Sequence, residues 1–314
     1  MLLMLLGNND YHGWCLMDDK LIKEQIFNIT KQAREEMKDH LIDYNNLSKS
    51  PFIERVREIP RHKGRVKVIF GQHVDAVDQK RPLLINIHGG SFIRPGTERD
   101  LWFCQALAEE FGMHYVHIIY SLSPEHPYPL AAKECYSAIH FILGASELYH
   151  TKQDSIYIVG REAGANLALG VVQKLCSRNL PKPARLILDS PIMDVSMRIR
   201  KDHVDAGKIP LLSEKLFYQL AYVGEHDAVD PILSPSYMNP LAIGAFPPTL
   251  ILEPDTNIHH QMTLGLAVKL KMTTRDIKYC DYDVEDDENL DITGGYHKSS
   301  YDQIVEYLSQ TNDF

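Results

Sequence analysis

The sequence is short of several features that would classify it at once. It has no Cys-x-x-Cys pair; its five cysteines, Cys15, Cys104, Cys135, Cys176 and Cys280, are scattered and odd in number, which does not suit a disulfide framework. Scattered thiols fit a reducing interior, so a cytoplasmic protein is expected. No apolar run approaches the roughly twenty residues that a membrane span needs. The opening MLLMLL is too short for a secretory signal, has no basic flank and stops at Gly7-Asn8-Asn9-Asp10. No lysine- or arginine-rich stripe is present, and a net charge of −9 gives no electrostatic reason to seek nucleic acid or anionic lipid. Tryptophan occurs only at Trp14 and Trp102, read as packing residues rather than binding platforms. No internal repeat or low-complexity tract breaks the chain.

What is present is ample apolar material. The 314 residues are 44% hydrophobic, enough for a large core, and α/β folds often run this long as one domain. Ile22, Ile26, Ile29, Ala33, Met37 and Leu41 recur every three or four positions and predict an amphipathic helix before the first strand. Strands are expected at 65–74, 82–88, 114–120, 155–159, 184–188, 249–252 and 277–282. Helices are expected at 101–111, 131–143, 163–175, 261–270 and 300–308. Short apolar strands alternating with helices predict an α/β fold with a mostly parallel central sheet and helices on both faces, three layers in all. Residues 193–246 interrupt the alternation and carry a helix signal of their own at 213–222. Residues 1–50 and an insertion at about 194–246 are therefore expected to form a helical lid on a domain spanning 51–314. Ligands in open α/β sheets bind at the strands' carboxyl edge, where such a lid would lie.

Two segments carry chemistry. The first, His88-Gly89-Gly90-Ser91-Phe92, follows a buried strand, and its glycines let the backbone turn and present N–H groups to an oxyanion. Downstream comes Tyr120-Ser121-Leu122-Ser123-Pro124-Glu125-His126-Pro127-Tyr128-Pro129. The second segment, Gly160-Arg161-Glu162-Ala163-Gly164-Ala165-Asn166, joins a strand to a helix with the glycine spacing of G-x-S-x-G. Together these stretches resemble the HGG, PEHP and GDSAGGN signatures of the hormone-sensitive-lipase-like esterases. Pro247-Pro248-Thr249-Leu250-Ile251 resembles that family's PPTLI strand. The resemblance covers roughly residues 65–314. It implies an α/β-hydrolase fold, hydrolysis of short-chain carboxylic esters, no cofactor, and an oxyanion hole from Gly89, Gly90 and Ala163, with Ser91 and Phe92 lining a pocket. Gapless matching puts the triad acid at Asn257 and the histidine at His297, after Gly294-Gly295-Tyr296.

The chain departs from that pattern at two of three triad positions: Glu162 stands where the nucleophilic serine is expected, and Asn257 where the carboxylate is expected. A serine triad needs a hydroxyl to attack, an imidazole to take its proton and a carboxylate to orient and stabilise the imidazolium. Removing that machinery from a serine protease leaves roughly 10³–10⁴ over water, about six orders below the working enzyme. An anion beside the oxyanion hole also opposes the charge the transition state develops. The preferred reading is a salt bridge between Glu162 and His297. The alternative is carboxylate nucleophilic catalysis, as in hydrolases with aspartate on this bend, such as haloalkane dehalogenases. Asp255 is a second candidate for the acid. Ser91 and Ser190 are spare hydroxyls away from the bend.

The remaining candidates are weaker. Asp281, Asp283, Glu285, Asp286, Asp287, Glu288 and Asp291 form an acidic stretch without calcium-loop spacing. His259-His260 point apart on a helix and do not suit one zinc ion, so no metal is expected. His126 is read as structural. The expectation is a catalytically impaired relative holding a small apolar or acyl-type ligand, with a homodimer open as a state. The resemblance supplies a precedent in a plant hormone receptor with an altered triad. The rivals are an active hydrolase, through Glu162 and His297 or a rebuilt triad, and an interaction protein with a collapsed pocket.

Overall fold

A computed structural model of the chain describes residues 3–4, 15–16, 19–47, 51–77, 79–196, 220–239, 246–254, 260–272, 276–282 and 298–310. The long amphipathic helix α1 spans Asp19–Glu35, after a two-residue antiparallel ribbon of β1 (Leu3–Met4) and β2 (Cys15–Leu16). The main sheet holds β3 (Phe52–Pro60), β4 (Arg65–His73), β5 (Leu83–Ile87), β6 (His114–Ile119), β7 (Ile156–Arg161), β8 (Arg185–Asp189), β9 (Thr249–Pro254) and β10 (Ile277–Tyr282). Between and after them run α2 (Glu98–Phe111), α3 (Leu130–Gly144), α4 (Ala163–Ser177), α5 (His260–Lys271) and α6 (Lys298–Ser309).

The strand order is β10-β9-β8-β7-β5-β6-β4-β3. From β6 to β10 every pairing is parallel, and β4 and β3 are added antiparallel. The five residues of β5 are all buried, as a strand covered on both faces requires. α3, α4 and α5 pack on one face against Ile85, Ile158 and Leu188. α2 and α6 pack on the other against Leu84, Val159 and Ile187. This is the three-layer arrangement the alternation predicts.

Two boundaries differ from expectation. β3 carries no clear sequence signal, because FIERVREIP mixes charges into its alternation; as an edge strand it buries only part of its length. α1 stops at Glu35 rather than running to Leu41, which leaves the helix to bridge Thr97. The expected helix at 213–222 lies outside the described residues apart from 220–222, which are helical.

A polar layer sits beneath the loop that follows β5. Asn86 Nδ2 donates to His117 Nδ1 at 3.1 Å, and the His88 ring lies flat on Tyr120 with centroids 4.1 Å apart. Tyr120 Oη donates to the carbonyls of His88 and Gly89, at 3.0 and 3.1 Å. Those bonds tie two carbonyls at the start of the loop to one buried hydroxyl. α2 begins over the same layer through a capping box in which Thr97 and Asp100 satisfy each other.

Burial, and then the neighbouring His88, push the His117 pKa down to about 4, so this ring is neutral in the folded protein. Burial also lowers His88. An unfolded histidine titrates near 6.5, so between that pH and about 4 the unfolded chain binds the extra proton. Stability should therefore fall as pH drops through this window and level off below it. Denaturation midpoints measured from pH 7 to 4 test this: His117→Gln should flatten the profile, and an unchanged slope would show that this ring does not set it.

Candidate functional site

The end of β7 turns directly into α4, and Glu162 is the one residue on the bend. Its backbone sits at φ 51°, ψ −110°, a left-handed position that costs a non-glycine residue on the order of 1–3 kcal/mol. The surroundings fix it there. Glu162 N–H donates to Asp189 O at 2.8 Å, and Glu162 O accepts from the N–H groups of Asn166 (3.1 Å) and Ile192 (3.2 Å). Gly164 is required below the bend, since a Cβ there would lie 1.9 Å from the Ile87 carbonyl oxygen.

The Glu162 side chain folds back over the loop after β5. Oε2 accepts from Gly90 N–H at 2.9 Å and from Ser91 N–H at 3.2 Å. Oε1 accepts from Ser91 Oγ at 2.7 Å. The loop reaches this shape through an unusual backbone: Gly90, Ser91 and Phe92 all have positive φ, at 99°, 52° and 66°. Successive N–H groups in such a turn converge on an anion. Gly89 passes so close that a Cβ would stand 3.2 Å from Glu162 Oε2. Ala163 opens α4 and is fully buried. Phe92 is buried too and stacks on Tyr222, with centroids 3.6 Å apart.

Three further side chains brace this arrangement. Arg34, in the last turn of α1, donates from Nε to Ile93 O and from Nη2 to Ser123 O, both at 2.8 Å. The same guanidinium grips both carboxylate oxygens of Glu125, at 2.7 and 2.9 Å. Arg34 pulls the Glu125 carboxyl below the usual glutamate range. Ala33 packs with Ile93 and Ala221 beside it. Glu134 receives Ser121 N–H and Oγ, at 2.7 and 2.9 Å, fixing the start of the downstream loop. Asn166 Nδ2 donates to Ile192 O and Leu233 O, at 2.7 and 2.9 Å. No local pattern announces Arg34 or its pairing with Glu125, whose positions in the chain differ by 91; only the fold brings them together.

Of the residues expected in a triad, Glu162 is described, while Asn257, His297 and the alternative Asp255 lie outside the described residues, as do His259 and the acidic stretch after Tyr282. Ser190 also has positive φ, 50°, and its N–H donates to Leu252 O. His126 enters through its backbone, accepting from Ser123 Oγ at 3.3 Å. Among the described residues no cluster of three or more His, Cys, Asp or Glu could hold a metal ion, and no helix is long and apolar enough to cross a membrane. Cys104 and Cys135 are buried free thiols whose pKa burial raises well above the ordinary value.

A sequence profile for the α/β-hydrolase fold matches residues 84–285. The chain belongs to the α/β-hydrolase fold family. Within it, an esterase of Acinetobacter venetianus is 30% identical over 192 residues, 60% of this chain and 60% of that protein. Hormone-sensitive lipase of Mus musculus is 28% identical over 114 residues, 36% of this chain and 15% of the lipase. This hydrolase-fold chain thus spans 60% or less of the length of these curated relatives. The crystal structure of carboxyl esterase 2 from the fungus Tuber melanosporum superposes with a TM-score of 0.71 over 89% of this chain and 96% of that one. At 16% identity that likeness is one of fold.

A hydrogen bond to a charged group contributes about 1.5–3 kcal/mol. Ser91→Ala removes one of the donors on Glu162 and should lower the unfolding free energy by about that amount, read from a denaturant titration. In the Glu162→Gln background the same change should cost clearly less. Equal losses in both backgrounds would show that the Ser91 hydroxyl does not act through this carboxylate.

Proposed function

We propose that this chain is a catalytically impaired relative of the carboxylesterases, with Glu162 in the place of their nucleophile, and that it binds a small apolar or acyl-type compound under a helical lid. The observation that carries the reading is the carboxylate of Glu162 hydrogen-bonded by Gly90 N–H, Ser91 N–H and Ser91 Oγ. In an ester hydrolase, donors at this bend stabilise the oxyanion of the tetrahedral intermediate. Here they are spent on a resident anion. An incoming carbonyl oxygen would have to displace a carboxylate already bonded by Gly90 and Ser91, and then develop its own negative charge beside it. No hydroxyl stands on the bend to attack. Asn257 supplies no negative charge to an imidazole at position 297, so imidazolium formation is unsupported as well.

The lid is assigned to residues 1–50 and about 194–246. The assignment is supported by the contact of α1 with Ile93, three residues beyond Gly90, and with Ala221 from the insertion. The Acinetobacter relative is an esterase by name, which sets the reaction against which impairment is measured.

Hydrolysis of p-nitrophenyl acetate and butyrate tests the proposal. The natural chain should not exceed the rate of buffer. Glu162→Ser alone should stay poor, and Glu162→Ser with Asn257→Asp should recover more, since the triad carboxylate is worth roughly 10⁴ in a serine protease. Equal rates for the single and double variants would refute the assignment of Asn257. Turnover by the natural chain that His297→Ala abolishes would overturn impairment altogether. A melting temperature that no short-chain ester or acid shifts would remove the binding role.

A further inference from the structure

Ser91 is held as a reacting group is held. Its backbone sits at φ 52°, on the left-handed side that a residue with a Cβ avoids. Such positions persist where the surroundings must present a side chain at one angle. What Ser91 presents is a hydroxyl, and its Oγ donates to Glu162 Oε1 at 2.7 Å. A serine hydroxyl has one hydrogen and two lone pairs. With the hydrogen given to Oε1, both lone pairs are left for attack. A carboxylate within hydrogen-bond reach of the proton it would take stands where a general base must stand.

The second half of an acyl-transfer site lies beside this pair. The N–H groups of Gly90 and Ser91 point at Oε2 of the same carboxylate, at 2.9 and 3.2 Å. One of the two belongs to the attacking residue itself, an arrangement serine proteases share. Ionised Glu162 holds both donors. Proton transfer to Oε1 removes that charge, and its hold on them loosens as an oxyanion forms. Ser91 is 4% exposed, while Gly89, Gly90 and Glu162 are half-buried. Gly89 carries no side chain, and a Cβ there would stand 3.2 Å from Oε2, so the pair is approached over bare backbone.

We propose that Ser91 is a nucleophile with Glu162 as its general base, and that the pair takes one acyl group from an activated ester without passing it to water. The step balances within the site. Ser91 Oγ bonds to the acyl carbon and its proton passes to Glu162 Oε1. The bond from the acyl carbon to the leaving oxygen breaks, and that oxygen departs as an anion, p-nitrophenolate in the case of an aryl ester. Glu162 then gives the proton to water. The product is an alkyl ester of serine, whose leaving oxygen is a far poorer anion than p-nitrophenolate. Re-ionised Glu162 again holds both N–H groups, so attack by water on that ester stalls. The proposal deepens the functional reading above and rests on it for the absence of turnover.

The natural chain mixed with p-nitrophenyl acetate tests this. Release of p-nitrophenolate is followed, and the acetylated residue is located by peptide mass spectrometry. Release should reach up to one equivalent per chain and then fall to the rate of buffer, with the acetyl group on Ser91. Ser91→Ala should abolish the burst and the label. Glu162→Gln should slow labelling of Ser91 by roughly 10²–10⁴-fold, the range of general acid–base catalysis. Ser91→Cys keeps a nucleophile in the same place, should be acetylated at position 91, and serves if Ser91→Ala does not fold. No acetyl group at position 91 in the natural chain or in Ser91→Cys overturns the proposal and leaves impairment standing. Equal labelling rates in the natural chain and in Glu162→Gln overturn it too. Continuous turnover by the natural chain refutes impairment, and the stalled ester with it. Loss of that turnover in Ser91→Ala then upholds Ser91 as the nucleophile, and its retention overturns that role.

Discussion

The bend between β7 and α4 is the constraint on which the site depends. A residue held at φ 51° leaves no room for a side chain two positions later, where Gly164 meets the Ile87 carbonyl. The same tight turn aims the Glu162 side chain across the sheet edge toward the loop after β5. Everything nearby serves to keep those two backbones at a fixed separation: Tyr120 on the loop carbonyls, Asn166 on the loop after β8, and the main chain of Asp189 on the bend. A scaffold with its converging N–H groups fixed in this way will fill them with whichever anion is nearest, and in this chain that anion is covalently attached.

Much of the architecture was legible because it rests on local patterns. Strands buried on both faces read as apolar runs, and PLLINIH announces β5 without help from the rest of the chain. β3 was missed because an antiparallel edge strand needs to bury only part of one face, and Glu54, Arg55, Arg57 and Glu58 obscure that part. Glu54 is an example of a charge that looks exposed in sequence: it is buried, and Tyr115 and Gln105 donate to it from elsewhere in the fold.

The site was legible in outline only. Spacing of Gly160 and Gly164 put Glu162 on a bend, and the adjacent glycines of the first loop put N–H groups opposite. The direction of the Glu162 carboxylate was not readable, because a glutamate has three rotatable bonds and several partners within reach. The expected partner, an imidazole at position 297, lies outside the described residues; among the described residues the carboxylate's partners are Gly90 and Ser91. Ser91 is expected only to line the pocket, yet its hydroxyl is one of the donors. Arg34 and Asp189 carry no signal, and Glu125 is legible only as part of the PEHP stretch, not as the partner of Arg34, since each acts on partners far along the chain.

Arg34 has a consequence for how the molecule can be rebuilt. Its guanidinium spans two loop carbonyls and one carboxylate, so the amino-terminal helix and the loop bearing Gly90 form a single mechanical unit. Grafting the first fifty residues from a relative would exchange Arg34 while leaving its partner Glu125 behind. A chimera made this way keeps its loop geometry only if the arginine and Glu125 travel as a pair.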